Sequence, residues 1–234
     1  MNWKTQSFCR AAARYYSTRT PPVPDLESVR ALWARGRVWS KLPELPAESK
    51  ARAAADLVAP GGHLALPHAG GLSIVVEGEL LPDFPTAEYV KLISQSSGTI
   101  SIRLNCPGGD LLAALEIHTA LLAAGPDRVE ILVAGLCGSA ATVILAAGGD
   151  RRRILQGSKL WVHSPSDCCW GNAGELRRAA DALEALLPKM RQIYGRICDR
   201  SLVEKWLDGS DHLFDAAAAL SSGLGTEIVE PITP

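Results

Sequence analysis

Ser139 lies at a junction where a serine hydroxyl could act as a nucleophile. The residue stands between "GLCG" and the small-residue stretch "AATVILAAGG", which predicts a helix. Gly138 and Ala140 leave the hydroxyl accessible, and the helix dipole favours negative charge at that place. A serine at a helix start is also a typical N-cap, so this stretch alone leaves both roles open. A nucleophilic serine needs a base, and the base needs an orienting acid.

His163 is the strongest candidate base. It ends the predicted strand "KLWVH", just before "SPSD", and so falls on the same sheet edge as Ser139. A lone histidine there is often structural, and its role depends on its neighbours. The other histidines are less suited. His63 and His68 lie in a predicted loop, His118 lies within a predicted helix, and His212 adjoins an acid.

Candidate acids lie in the later segment "LDGSDHLFDAAAALSSGL". Asp215 is predicted to cap the helix "AAAALSS". Asp208 and Asp211 lie in the turn before it, and composition does not choose between them.

The turn "NCPGGD", residues 105–110, places backbone N–H groups between a predicted strand and a predicted helix. Such groups bind phosphate or form an oxyanion hole. The turn lacks lysine and the glycine spacing of nucleotide-binding loops, which disfavours phosphate. A tight turn that needs glycine dihedrals is the simplest alternative.

Strands and helices alternate from residue 72 onward, which predicts an α/β domain with a mainly parallel sheet. In such sheets, chemistry gathers at the carboxyl ends of the strands, where both glycine-rich turns fall. A long helix is predicted from Asn172 to about Cys198, with a kink at Pro188. The predicted strands are "LSIVVEG", "GTISIRL", "RVEILVAG", "RRILQ" and "KLWVH", and the other predicted helices are "TAEYVKLISQ", "LLAALEIHTALLAAG", "AATVILAAGG" and "AAAALSS".

Composition restricts the partners. The net charge is -1 among 234 residues, so no nucleic-acid partner is expected, and "RRR" at 151–153 is interpreted as a solvated strand edge. No apolar run reaches about 18 residues, so no membrane span is expected. The six cysteines are interpreted as reduced thiols. Cys168 and Cys169 near His163 fit no zinc pattern, so neither a metal nor a cofactor is predicted.

Residues 1–70 are predicted to form an extension of two short helices and the loop "APGGHLALPHAGG", and residues 71–234 the main domain. The first 24 residues are basic and lack acids. They fit a flexible arm of a bacterial or phage protein, with a cytoplasmic location, or a mitochondrial transit peptide, with a matrix location.

Taken together, these motifs resemble the proteolytic subunit of the Clp protease family over roughly residues 72–230. "IRLNCPGGD" is similar to the Asn-Ser-Pro-Gly-Gly turn of that family, "GLCGSAATVILAAG" to its nucleophile turn, and "WVHSP" to its histidine strand. The candidate residues follow one another along the chain in the order Ser, His, Asp, as they do in that family. The segment "GNAGELRRAADALEALLPKMRQIYG" resembles the phage and prophage branch, which includes head-maturation proteases. The resemblance implies a ClpP/crotonase-like fold.

The resemblance implies a role for each candidate. Ser139 would be the nucleophile, His163 the general base and then acid, and Asp211 the orienting acid, with Asp208 in reserve. Asp211 is selected because in that branch the acid stands three residues before a Phe and twelve before a Gly. Asp211 has these spacings to Phe214 and Gly223. The oxyanion hole would be formed by the N–H of Ala140 with that of Gly109 or Gly108.

The expected function is therefore a serine endopeptidase that acts on polypeptides through an acyl-enzyme. The long helix 172–198 would be the family's handle, which packs between subunits of heptameric rings, so a homo-oligomer is expected. The amino-terminal extension differs from the loops that dock an AAA+ unfoldase, which puts such a partner in doubt. Two alternatives stand beside this reading: a crotonase-type acyl-CoA enzyme, which needs no triad, and a non-catalytic scaffolding protein with a Clp-like shell.

Overall fold

The computed structural model describes residues 63–231, in which eight strands and seven α-helices are formed. The strands are β1 Leu64–His68, β2 Gly71–Glu77, β3 Thr99–Cys106, β4 Val129–Gly138, β5 Arg152–Leu155, β6 Lys159–Val162, β7 His212–Asp215 and β8 Glu227–Val229. The helices are α1 Thr86–Gln95, α2 Leu111–Ala124, α3 Ala140–Leu145, α4 Ala173–Glu184, α5 Leu187–Tyr194, α6 Arg200–Trp206 and α7 Ala216–Ser222.

The strands form one sheet in the order β1-β2-β3-β4-β5-β8. All neighbours on this path are parallel except β1 and β2. β6 pairs in parallel with the last residues of β4, beyond the point where β5 ends, and β7 pairs antiparallel with β6. The predicted α/β class with a mainly parallel sheet is confirmed.

The core lies on the central strands and the helices that cover them. β3 and β4 contribute apolar residues that are almost fully buried, including Ile102, Leu104 and Val133. All six residues of α3 are buried, so Ser139 stands at the start of a helix enclosed by the protein. Because each fully buried large apolar side chain contributes about 1.5–3 kcal/mol, this core holds the turns above it in place.

The sheet begins earlier than the sequence predicted. "APGGHLALPHAGG" was expected to be a loop, yet Leu64–His68 forms β1 and pairs with β2. Leu64 and Ala65 are buried, and Pro67 is tolerated because β1 is an edge strand. The two helices predicted before this strand lie outside the described residues.

The helix predicted over 172–198 with a kink at Pro188 is found, but it is interrupted before Pro188 and ends at Tyr194. The segment forms α4 and α5, separated at residues 185–186. Pro188 explains the break, because a proline ring clashes with the carbonyl four residues earlier, and Glu184 is the last residue of α4. Met190 and Ile193 of α5 are buried, whereas no residue of α4 is.

Three short elements were not predicted: α6, β7 and β8. The four residues of β7 alternate between half-buried and exposed, so their pattern is too short and too polar to indicate a strand. Asp215 ends β7 and caps α7 as predicted, accepting a hydrogen bond from the Ala218 N–H at 2.8 Å. Within residues 63–231, no helix is both long enough and apolar enough to cross a membrane.

Candidate active site

Ser139 occupies a strained turn between β4 and α3. Its φ is +50° and its ψ is −126°, which makes it the one non-glycine residue with positive φ in residues 63–231. Such a conformation costs on the order of 1–3 kcal/mol and is found mostly at functional sites. The Ser139 N–H donates to the Trp161 carbonyl at 2.7 Å, which fixes the turn to β6. The side chain makes no capping hydrogen bond to α3, so its hydroxyl is not used as a helix cap.

The Ser139 hydroxyl instead meets His163. The Oγ atom lies 2.8 Å from Nε2 of the imidazole. Sheet pairing causes this contact: Gly138 is the register partner of Trp161, so the residues that follow β4 and β6 emerge at the same sheet edge. When Nδ1 carries the ring hydrogen, Nε2 accepts the hydroxyl proton, as a general base requires.

The pairing of β6 with β7 ends one residue short of His163 and Asp211. Val162 is the register partner of His212, so continuing this antiparallel ladder by one residue would set Asp211 opposite His163. Among the described residues, the only side-chain hydrogen bond of His163 is the one to Ser139, and neither Asp211 nor Asp208 bonds the imidazole. The structure thus brings Ser139 and His163 into contact, and it shows no hydrogen bond between the imidazole and Asp211.

Asp208 is engaged elsewhere. Its Oδ1 accepts the Ser210 N–H at 2.8 Å and lies 3.2 Å from Nε2 of His212. The Ser210 N–H, and after it the His212 imidazole, hold the pKa of Asp208 below its ordinary value. The Gly209 N–H donates to Ser164 Oγ at 3.2 Å, which ties this loop to the residue that follows His163.

The glycine turn 107–109 packs directly on the serine. A Cβ atom placed on Gly108 would lie 2.6 Å from the Cβ of Ser139 and 3.0 Å from the Ala140 nitrogen. Gly108 has a φ of +113° and Gly109 a φ of +120°, both in the region that favours glycine. Only residues without a side chain allow this approach.

Hydrogen bonds orient the N–H groups of that turn. Leu80 N–H donates to the Gly108 carbonyl at 2.7 Å, and Asp110 N–H donates to the Leu80 carbonyl at 2.8 Å. Gly108 N–H is directed at Cys106 Sγ, 3.3 Å away. The Gly109 N–H takes no part in these bonds, which are made by the residues on either side of it.

Gly109 and Ala140 therefore offer two available donors. Neither N–H has an acceptor within the part of the chain that the structure describes. Ala140 is the first residue of α3, where no intrahelical acceptor exists and the helix dipole is positive. Two such donors flanking a serine are suited to stabilise an oxyanion.

The Asn105 side chain stabilises the backbone that leads into the glycine turn 107–109. The register of β3 against β4 shifts between Leu104 and Cys106, and the Asn105 Oδ1 accepts the Leu136 N–H at 2.8 Å in the gap. Its Nδ2 donates to the Glu77 carboxylate on β2. The amide thus joins three strands immediately before the glycine turn.

The two cysteines nearest Ser139 are not activated. Burial raises the pKa of the Cys106 thiol to about 12, and burial raises that of Cys137 well above its ordinary value. Both therefore stay neutral at physiological pH. No group of three His, Cys, Asp or Glu side chains within residues 63–231 is placed to hold a metal ion.

Trp161 is a site residue that the sequence analysis missed. Its indole stacks on the His163 imidazole, with ring centroids 4.6 Å apart and planes 20° apart. The spacing of two residues along a strand indicates that Trp161 and His163 share one face of the sheet, but it does not indicate that their rings stack.

The chain matches one family model over most of the described region. The model is that of the Clp protease, and the match covers residues 86–231, which includes the glycine turn, Ser139, His163 and Asp211. More than half of the sequence is matched. The chain belongs to the Clp protease family.

Proposed function

We propose that this protein is a serine endopeptidase whose nucleophile is Ser139 and whose general base is His163. The observation that carries the proposal is the 2.8 Å contact between Ser139 Oγ and His163 Nε2 at a strained turn. Membership of the Clp protease family supports a peptidase of the serine type.

The reaction follows from these groups. Ser139 Oγ attacks the carbonyl carbon of a peptide bond while His163 Nε2 takes the hydroxyl proton. The carbonyl oxygen becomes an oxyanion, which the N–H groups of Gly109 and Ala140 stabilise. Collapse breaks the C–N bond, His163 donates the proton to the leaving amine, and an acyl-enzyme remains. Water, deprotonated by His163, then releases the acid and restores the hydroxyl.

Asp211 is the proposed orienting acid. Continuing the β6–β7 ladder by one residue would set it opposite His163, which supports this role, and the bonds of Asp208 to Ser210 and His212 leave Asp208 less available. The carboxylate would accept the Nδ1–H, hold the tautomer that leaves Nε2 basic, and offset the imidazolium charge. The contact would form by a small movement of the exposed 208–211 loop.

A polypeptide is the substrate class that the turn fits. The Gly109 carbonyl accepts no backbone hydrogen bond in the described residues, so it could accept an N–H from a bound peptide strand while the Gly109 N–H serves the oxyanion. Exposed apolar side chains flank this turn and the β6–β7 face, including Leu112, which is 65% exposed, and Leu213, which is 76% exposed. Processing of phage or prophage proteins is the biological setting that we propose for it.

We also propose that the protein assembles into a ring, with α4 between subunits. α4 begins with a complete capping box at Asn172 and Glu175, yet it buries no residue in its own subunit. Leu176 on this helix is 42% exposed. An amphipathic helix with an unpacked apolar face gains stability from a second copy. Mass measurement in solution should give about seven or fourteen times the 24.9 kDa chain, and a monomer would contradict the ring.

The test of the peptidase is labelling by a fluorophosphonate probe. The wild-type protein should be labelled, and Ser139→Ala should abolish the adduct because the nucleophile is removed. Ser94→Ala, at an exposed serine on α1, is the matched control and should label as wild type does. His163→Ala should suppress labelling, whereas His212→Ala should retain it. Equal labelling of wild type and Ser139→Ala would refute the proposal.

A further inference from the structure

We propose that Trp161 is a positioning residue of the active site, which holds the imidazole plane of His163 so that Nε2 faces Ser139. The proposal rests on the proposed function and adds a residue to it. Its support is the contact of this one residue with both members of the serine–histidine pair.

The backbone of Trp161 holds the serine. Its carbonyl accepts the Ser139 N–H at 2.7 Å, at the residue whose φ is +50°. Since this bond involves only the main chain, it persists whatever side chain stands at position 161. Any effect of a substitution at Trp161 therefore reports on the indole.

The indole holds the histidine. An imidazole at the end of a strand can turn about its side-chain bonds, and each turn moves Nε2 away from Ser139 Oγ. A nearly parallel ring at 4.6 Å limits that motion, because tilting the imidazole loses the stacked contact. The preferred ring plane is the one in which Nε2 lies 2.8 Å from the hydroxyl oxygen.

Strand β4 packs against the Trp161 indole. Gly138 is the register partner of Trp161, and a Cβ atom on Gly138 would lie 3.1 Å from the indole Cε3. The indole thus covers the surface that a side chain at 138 would fill. A Cβ atom on Gly138 would also lie 2.7 Å from the Pro107 carbonyl oxygen, so glycine at this position makes room for both the indole and the glycine turn.

The effect on rate follows from the strength of a stacked pair. Aromatic pairs of this geometry change an equilibrium by about 2-fold to about 13-fold. Trp161→Leu should lower kcat for a peptide substrate by a factor in this range and leave KM nearly unchanged, because the base is misoriented and the glycine turn is intact. Trp161→Phe keeps an aromatic face and should recover most of the rate.

The experiment combines this kinetic split with an NMR readout that does not depend on activity. In the wild type, the His163 ring C–H protons should be shifted upfield by the indole ring current, with the signals assigned by their loss in His163→Gln. The shift should shrink in Trp161→Phe and vanish in Trp161→Leu. Trp170→Leu, at a tryptophan that is 88% exposed, is the matched control and should change neither readout.

Unchanged His163 signals in a folded Trp161→Leu protein would overturn the proposal, as would a wild-type kcat in that variant. A wild-type protein that shows the ring-current shift but is not labelled by the probe would instead refute the peptidase. The two failures are therefore distinguishable.

Discussion

Gly108→Ala is expected to disable the site while leaving the fold largely intact. The added methyl group would lie 2.6 Å from the Ser139 Cβ, 2.8 Å from the Gly138 carbonyl oxygen and 3.0 Å from the Ala140 nitrogen. These contacts are with backbone and with the Cβ of the nucleophile, none of which can move aside without shifting the serine. The substitution therefore acts on the reacting groups themselves.

The magnitude has two parts. An alanine at a φ of +113° costs on the order of 1–3 kcal/mol of folding free energy. Displacement of the nucleophile by about 1 Å costs about 100-fold in rate. We therefore expect the melting temperature to fall by about 2–4 °C per kcal/mol lost, and the labelling rate of the folded protein to fall at least about 100-fold.

Gly125→Ala is the matched control for the backbone cost. Its φ is +103°, and the nearest atom to its added Cβ would be the Cδ of Arg128 at 3.9 Å. This variant should lose similar stability and keep the wild-type labelling rate. If Gly108→Ala labels as fast as Gly125→Ala, the assignment of this turn to the active site is refuted.

Two further predictions concern charged and titratable side chains. Asp211→Asn should lower kcat about 10⁴-fold, because the imidazole loses its orienting acid. Asp208→Asn should lower kcat no more than about fivefold, because exposed ion pairs contribute little. Equal losses of kcat in a peptide-hydrolysis assay would reject Asp211 as the acid. Burial lowers the pKa of His118, whose Nδ1 lies 2.8 Å from the Val143 carbonyl oxygen, so the folded state binds fewer protons than the unfolded state. The free energy of unfolding should therefore fall as pH drops through about 6.5, and His118→Gln should flatten this slope in urea titrations between about pH 8 and about pH 5; an unchanged slope would contradict the assignment.

The main architecture could be predicted because the long helices and strands show a clear periodicity of apolar residues. α1 was predicted with its observed bounds, and α2 ends at Gly125 as expected. The short strand β7 could not be predicted, because four residues with mixed burial give no periodic signal. The interruption between α4 and α5 could be predicted from Pro188, and it lies in the turn before that residue because the proline ring clashes with the carbonyl four residues earlier.

The site candidates were reachable from the sequence because they follow strands, and the carboxyl ends of parallel strands share an edge. Ser139 and His163 meet for this reason. The choice between Asp208 and Asp211 depends on the register of β7, which an unrecognised strand cannot supply. The stacking of Trp161 depends on side-chain rotation, which spacing alone does not determine.

The most direct test of the central claim is to locate the acyl group formed from a peptide ester. After rapid acid quenching, tandem mass spectrometry of the digested protein should place the acyl group on Ser139, and the Asp211→Asn protein should accumulate it more slowly. An acyl group on another residue, or no acyl-enzyme in a protein that hydrolyses the ester, would contradict the account.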